Sequence, residues 1–411
     1  MTDLDRLLRQ DTTAGPTAQA SPPRHAMTVD VEDYFQVYAF FHCIPRDTWD
    51  GYARRVEANV DRILTQFAAA NVSATFFTLG WIAERHPAMI RRIVEAGHEL
   101  ASHGYDHTRV DAMDAAAFRA DLLRTRNILQ DTGGVAVRGY RAPTFSIGPT
   151  TPWAFEIMAE TGHTYSSSVN PVRSDNYGMP DAPRTPYQPL PGNAAFWEFP
   201  MTTVRLFGRN LPCAGGGYFR LLPYWLFHRG FTRATETERR AGIFYFHPWE
   251  VDPDQPRVPG CGWKSRLRHY TNLARMSARL ERLLGDFDWG RMDRVFAAEL
   301  AGTGATGVAA TDAPRVLGQA AQHVADPMLA DPMRAGPMLA DPMLADPIQA
   351  DPTLADPTLA DPHPADPILG AALDLTTAAV QADFNRTVDA NLDAILDAAV
   401  ARGQYPSRKP T

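Results

Sequence analysis

Cysteine is scarce in this chain of 411 residues, and Cys43, Cys213 and Cys261 stand far apart with no metal-binding or redox spacing. An odd, scattered set predicts a reducing compartment and no disulfide framework. No apolar stretch approaches the length of a membrane span. The opening Met1-Thr2-Asp3-Leu4-Asp5-Arg6 is acidic and polar, without the apolar core of a signal peptide. These absences together predict a cytoplasmic protein, at the inner membrane face if its substrate is a lipid-linked precursor. There is no basic patch or nucleic-acid-binding motif either, which argues against a nucleic-acid partner.

Regular structure is also missing from one long segment. Ala325 to Leu369 is nine consecutive five-residue units, mostly Ala-Asp-Pro-x-Leu. A proline every fifth residue forbids a continuous helix and strips donors from a sheet, so an extended, disordered linker is expected. Its eight Asp and one Arg give −7, the formal charge of the whole chain, so the acidity says nothing about the partner of the rest. Four regions are therefore expected: a disordered leader (1–24), a catalytic domain (25–300), the repeat linker (301–370) and an amphipathic helical tail (371–411). The tail, apolar at Leu373, Val380, Phe384, Val388, Leu392, Ile395 and Val400, suits docking on a protein partner, on itself or back on the domain.

What is present is alternation. Helical periodicity over Arg54–Ala69 is followed by the apolar run Val72–Leu79. A helix is expected over Trp81–Ala96, ending at Gly97, then a strand through Ser102 and a helix over Phe118–Leu129. Strand–helix alternation predicts a parallel sheet or barrel, with chemistry gathered at the carboxyl ends of its strands. Asn170–Pro200 reads as an active-site loop, and Trp263–Leu284 as one long Arg-rich helix outside the barrel.

Several chemistry-bearing residues fall at such strand ends. His103 and His107, four apart, follow the strand that ends near Ser102, and Asp30-Val31-Glu32-Asp33 follows the run Ala26–Val29. Two imidazoles and one carboxylate make a three-ligand set that leaves a divalent metal open to water or substrate. Alternation puts Asp30 and Glu32 on one face and Asp33 on the other. Asp30 is expected as general base and Glu32 as ligand. Asp33 is either an alternative ligand or the cap of a following turn. Arg141, in Arg138-Gly139-Tyr140-Arg141-Ala142-Pro143, is placed to hold Asp30 ionised through a bidentate bond. His247 follows the buried-strand run Ile243–Phe246 and suits a general acid, a satisfied core histidine being the ordinary alternative. Tyr140, Pro143 and Trp249 are the candidate substrate contacts.

Asp-x-Glu-Asp, His-x-x-x-His, Arg-x-Pro and the late strand-ending histidine occur here in the order of the polysaccharide deacetylase family, the NodB-homology carbohydrate esterase family 4, which residues 25–300 resemble. Thr28–Phe35, Ala74–Gly80, Gly215–Arg220 and His247–Asp252 resemble most the branch found with exosortase and exopolysaccharide gene clusters. The resemblance implies a distorted (β/α) barrel that removes acetyl groups from N-acetylated oligo- or polysaccharides with zinc, or with cobalt, nickel or iron. It also implies Asp30 as base, His103 and His107 as ligands, Arg141 as the arginine that positions the base and His247 as acid. The chain departs from many relatives in Gly104, where a Ser is expected, and in Ser166, where an Asp is. Two other functions remain open: an amidase of the same fold acting on a small non-sugar amide, and a non-catalytic carbohydrate-binding or scaffold protein.

Overall fold

The computed structural model describes residues 25–173, 177–206 and 209–301. The expected leader, the repeat linker and the C-terminal helix lie outside the described residues.

Strand β1 (His25–Val31) is buried at every position, as a parallel strand covered on both faces must be. Its alternation sorts two environments. Met27, Val29 and Val31 belong to the largest apolar cluster, with residues of the flanking helices. Ala26 joins Phe77, Ala101, Phe145, Tyr165, Phe199 and Met201 in a second cluster. Thr28 and Asp30 share the face of Ala26, so the strand carries its polar groups into the barrel side.

Helix α1 (Val56–Ala69) buries Val56, Val60, Ile63 and Phe67, one stripe at helical spacing. After β2 (Thr75–Thr78) come α2 (Gly80–Arg85) and α3 (Pro87–Glu95), where a single helix was expected. Pro87 is the reason: it lacks an N–H and disfavours helical backbone in the residue before it, and His86 sits at φ −129°, ψ 52°. Gly97, at φ 82°, ends the segment as expected. β3 (Glu99–Ser102) leads to α4 (Ala115–Gly133), capped by Asp114, which accepts from Ala117 N at 2.8 Å. β4 (Gly139–Tyr140), α5 (Trp153–Glu160), β5 (Tyr165–Ser166) and β6 (Trp197–Glu198) follow. The hairpin β7 (Thr203–Leu206) and β8 (Arg209–Pro212) precedes α6 (Gly216–Leu221), α7 (Tyr224–Thr232) and β9 (Ile243–Phe246).

The Arg-rich stretch is two helices, α8 (Trp263–Tyr270) and α9 (Leu273–Asp286), because Asn272 between them is left-handed at φ 56°. β10 (Trp289–Gly290) and short helices α10 (Met292–Val295) and α11 (Ala297–Ala301) complete the described chain.

Eight strands run parallel in the order β10-β1-β2-β3-β4-β5-β6, with β9 also on β1. Among the described residues no ladder joins β6 to β9, and the segment after β6 bridges the gap. Ile243 N donates to Thr202 Oγ1 at 2.6 Å, and Tyr245 N to Ala214 O at 2.9 Å. The result is the expected distorted (β/α) barrel, curled but open on one side.

One expectation fails outright. Cys43 and Cys261, 218 residues apart, form a disulfide with their Cα atoms 5.5 Å apart, and Cys213 alone is free and buried. Spacing along the chain carried no hint of the pair, because the loop after β1 and the segment before α8 meet only through the fold. The bond ties the loop that follows the acidic cluster to the region just after His247.

Candidate active site

The carboxyl ends of β1, β3, β4 and β9 bring Asp30, Glu32, His103, His107, Arg141 and His247 into one interacting set. Glu32, His103 and His107 each offer a ligand atom, and the three atoms lie within 4.8 Å of one another, all on buried residues. His103 Nδ1 lies 2.8 Å from the carbonyl oxygen of Arg141. A carbonyl only accepts, so Nδ1 carries the hydrogen and Nε2 keeps a lone pair for a metal, the usual arrangement of a ligating histidine. Burial holds the His103 pKa down, at about 4, which keeps the ring neutral. His107 has left-handed backbone, φ 59°, an outlier for a residue with a side chain of this size.

Glu32 supplies the test of whether a cation fits. Its Oε2 is buried without a hydrogen bond, although His107 Nε2 is only 3.0 Å away, while its Oε1 accepts from Trp249 Nε1 at 3.1 Å. Burial alone would push the carboxyl up; the imidazoles of His107, His247 and His103 outweigh it and hold it at about 2. An ionised carboxylate beside His107 Nε2 and the free lone pair of His103 Nε2 is a donor set that a divalent ion completes.

Asp33 is not part of this cluster. Its Oδ2 accepts from Arg55 N (2.7 Å) and Val56 N (3.0 Å), its Oδ1 from Tyr34 N (2.8 Å), so it caps the start of α1 from a distance. The chain turns past the end of β1 at Val31, where Glu32 N donates to Asp30 O at 3.1 Å, and Asp33 reaches the backbone of Arg55 and Val56.

Arg141 is fully buried and pairs with Asp30, Nη1 to Oδ1 at 2.6 Å. The bond is single rather than bidentate. The same Nη1 donates to Thr28 Oγ1 (2.8 Å), while Nε and Nη2 are taken by Ser167 O and Oγ at 3.0 Å each. Its guanidinium also lies over the Phe77 ring, 4.1 Å from the centroid. Asp30 is thus held at one oxygen by a cation that cannot move.

His247 is partly exposed (20%), with Nε2 3.6 Å from Glu32 Oε1 and Nδ1 2.8 Å from Glu250 Oε1. Burial would lower its pKa, but Glu32, Glu250 and Asp30 reverse the sign and hold it up, at about 9. A protonated imidazole beside a neutral one and a fixed carboxylate is the equipment for moving a proton in at one atom and out at another.

The expected substrate contacts fare differently. Tyr140 is fully buried, edge-on to Phe118 and His163, with its hydroxyl unpartnered, because it faces away from Arg141, its neighbour in sequence. Pro143 is buried beside Gly104. Trp249 is 7% exposed and bonds Glu32 instead of presenting a face. Gly104 itself needs to be glycine, at φ 76° with Asp121 Oδ2 3.2 Å from where a Cβ would stand. Ser166, at the end of β5, donates to Ser168 Oγ at 2.7 Å. Thr28, Ser167, Arg220 and Glu250 carry contacts that sequence reasoning passes over. Only Glu250, three residues after His247, and Arg220, closing the glycine run, leave a signal.

Two family models match this chain. Residues 48–166 match the family model described as Polysaccharide deacetylase, and residues 167–297 that described as Domain of unknown function (DUF3473). His103, His107 and Arg141 fall in the first and His247 in the second; Asp30 and Glu32 precede both. A peptidoglycan deacetylase of Helicobacter pylori is 32% identical over 113 residues, 28% of this chain and 38% of that protein. A peptidoglycan-N-acetylglucosamine deacetylase of Bacillus cereus is 34% identical over 82 residues, 20% of this chain and 30% of that protein. The chain thus spans between 30% and 38% of the length of these relatives. The crystal structure of a putative polysaccharide deacetylase from Mycobacterium smegmatis, 20% identical, covers 72% of this chain and 96% of its own, with a TM-score of 0.46. Residues 48–166 thus match the polysaccharide deacetylase model, and the curated relatives to which this chain is similar over that region are deacetylases by name.

Proposed function

We propose that the protein is a metal-dependent hydrolase that removes N-acetyl groups from N-acetylhexosamine units of an exopolysaccharide or its precursor, with residues 25–300 as the catalytic domain. The observation that carries this is the Glu32–His103–His107 cluster, with Glu32 Oε2 buried and free of hydrogen bonds, beside the fixed Asp30–Arg141 pair. A divalent ion held by those three, zinc or alternatively cobalt, nickel or iron, supplies Lewis acidity toward water and an amide carbonyl.

The chain's own residues do the rest. Asp30, aligned by Arg141, takes a proton from the attacking water as its oxygen bonds to the acetyl carbon. His247 Nε2 gives its proton to the departing nitrogen as the carbon–nitrogen bond breaks. Acetate and an amino sugar leave. Related deacetylases named for peptidoglycan and chitooligosaccharides all point to an N-acetylated glycan. The exopolysaccharide assignment rests on the exosortase-branch resemblance of Thr28–Phe35 and His247–Asp252.

Acetate release from N-acetylglucosamine oligomers, peptidoglycan fragments and exopolysaccharide precursors tests the reading. Release that stops on chelation and returns with metal supports it. Release from a small non-sugar amide that survives chelation would replace it with the amidase alternative.

Among the described residues no helix is long and apolar enough to cross a membrane. The Cys43–Cys261 bond supports action in an oxidising compartment rather than the cytoplasm expected from the scattered cysteines. Counting free thiols in protein taken directly from its cells checks this: one per chain supports it, three contradict it. The tail from 371 onward is proposed to dock a protein partner. Truncation after Leu300 that abolishes cellular function while sparing acetate release supports that role; unchanged cellular function contradicts it.

A further inference from the structure

The run Gly215-Gly216-Gly217-Tyr218-Phe219-Arg220 and the turn His247-Pro248-Trp249-Glu250 stand about thirty residues apart in sequence and meet beside β9. Nothing in the chemistry above uses the first of them. The contacts between them are dense. Glu250 Oε1 takes the Nδ1 hydrogen of His247 at 2.8 Å and the His247 backbone N–H at 3.2 Å. Its other oxygen, Oε2, accepts from Arg220 Nε at 2.7 Å. The remaining Arg220 donors are committed as well, Nη1 to His269 O (3.0 Å) and Thr271 O (2.5 Å), Nη2 to Arg268 O (3.2 Å). Both Glu250 and Arg220 are 1% exposed.

The glycines explain how two charged groups come so close. A Cβ on Gly216 would stand 2.3 Å from Glu250 Oε1 and 2.4 Å from Oε2, so the carboxylate occupies the space a side chain would need. A Cβ on Gly215 would stand 2.7 Å from the Tyr245 hydroxyl. From the other side the His247 ring is stacked on Trp249, centroids 5.2 Å apart, and Trp249 on His269, 4.0 Å apart. Trp249 in turn donates to Glu32. One turn of chain therefore orients both the imidazole and the carboxylate of the metal cluster.

We infer that Glu250, clamped by Arg220 in the space left by Gly216, is the positioning residue that fixes the tautomer and ring orientation of His247, so that Nε2 is the atom that delivers the proton. The inference rests on reading His247 as the general acid. A carboxylate that only accepts must meet a hydrogen on Nδ1, which leaves Nε2 alone to face the substrate side. A buried ion pair is weak evidence for stability, since well-packed apolar residues often serve as well. Holding an imidazole through its second nitrogen is a use that apolar residues cannot provide.

The experiment joins nitrogen NMR of ring-labelled histidine with kinetics on N-acetylglucosamine oligomers, using the metal-loaded full chain. In the wild type the His247 signals, assigned by their loss in His247→Gln, should show a hydrogen-bonded Nδ1–H. Glu250→Gln should lose or shift that signal and lower kcat by roughly 10- to 100-fold with KM changed by less than about threefold. Glu250→Asp should recover part of the rate, and metal content should stay at the wild-type level. A wild-type Nδ1 without hydrogen, or Glu250→Gln with unchanged kcat, overturns the inference. So does a loss of rate that tracks loss of metal or of folded protein. If Glu250→Gln does not fold, Gly216→Ala carries the same test, since its methyl displaces the carboxylate. A His247→Gln enzyme as fast as the wild type removes the acid role itself, and the inference with it. Failure confined to the Glu250 and Gly216 variants leaves that role standing.

Discussion

Arg141 holds His103 and Asp30 at once: its carbonyl oxygen lies 2.8 Å from His103 Nδ1, and its Nη1 2.6 Å from Asp30 Oδ1. One residue just after β4 thereby sets the proposed metal ligand through its backbone and the proposed base through its side chain. Removing the charge leaves Asp30 buried and unpaired, so Arg141→Met should cost about 3–5 kcal/mol by thermal or denaturant unfolding. Arg141→Lys keeps the charge but loses the fork, and kcat should fall roughly 100-fold while metal content persists. An active, stable Arg141→Met would remove the pairing from the account.

Asp33 and Glu32 are neighbours with opposite fates, and substitution should separate them. Asp33→Ala strips the acceptor from three backbone N–H groups around α1 and should cost about 1–3 kcal/mol of stability, with metal stoichiometry unchanged. Glu32→Gln should do the reverse, losing metal with little change in the apo-protein's melting temperature. Metal analysis beside thermal unfolding distinguishes them.

Trp249 Nε1 donates to Glu32 Oε1, so its indole supports the carboxylate. Trp249→Phe keeps the stacked ring but removes the Nε1 donor, and should weaken metal binding about 10- to 100-fold in a competition titration. An unchanged metal affinity with a raised KM would restore the role of substrate contact.

Glu198 sets a pH dependence of stability. Burial is the main cause that lifts its pKa from 4.5 to about 7, against the opposing pull of Ser166, two backbone N–H groups and Arg141. Because the folded value is raised, its contribution is fully present below pH 4.5 and is lost as pH rises through about 7. Glu198 Oε1 accepts from Ser168 N and Val169 N while Oε2 has no partner, so a Gln amide fits there. Glu198→Gln should be more stable than wild type at pH 8 by about 2–3 kcal/mol, with the gap closing near pH 4. A difference independent of pH between 4 and 8 would contradict this.

The barrel and the strand-end placement of the His103–His107 pair were legible because both obey local rules. Ile243–Phe246 reads as a buried strand and is one, and the apolar run from Ala26 reads as the strand that ends beside the acidic cluster. What sequence could not show depends on where distant segments meet. Cys43 finds Cys261 across 218 residues, and Arg220 finds Glu250 through a glycine that only the packed structure explains. Tyr140, beside Arg141 in sequence, is fully buried against Phe118 and His163, which adjacency to Arg141 gave no means of seeing. The helix breaks at Pro87 and Asn272 show propensity overruled by a missing donor and by a left-handed residue.

The central claim is that Glu32, His103 and His107 hold a catalytic metal. Titrating apo-protein with zinc while recording bound metal and acetate release from an N-acetylglucosamine oligomer, beside His103→Ala, tests it most directly. The account predicts one metal per chain, release rising in step with occupancy, and neither in the variant. Full release from metal-free protein, or equal metal binding by His103→Ala, would contradict it.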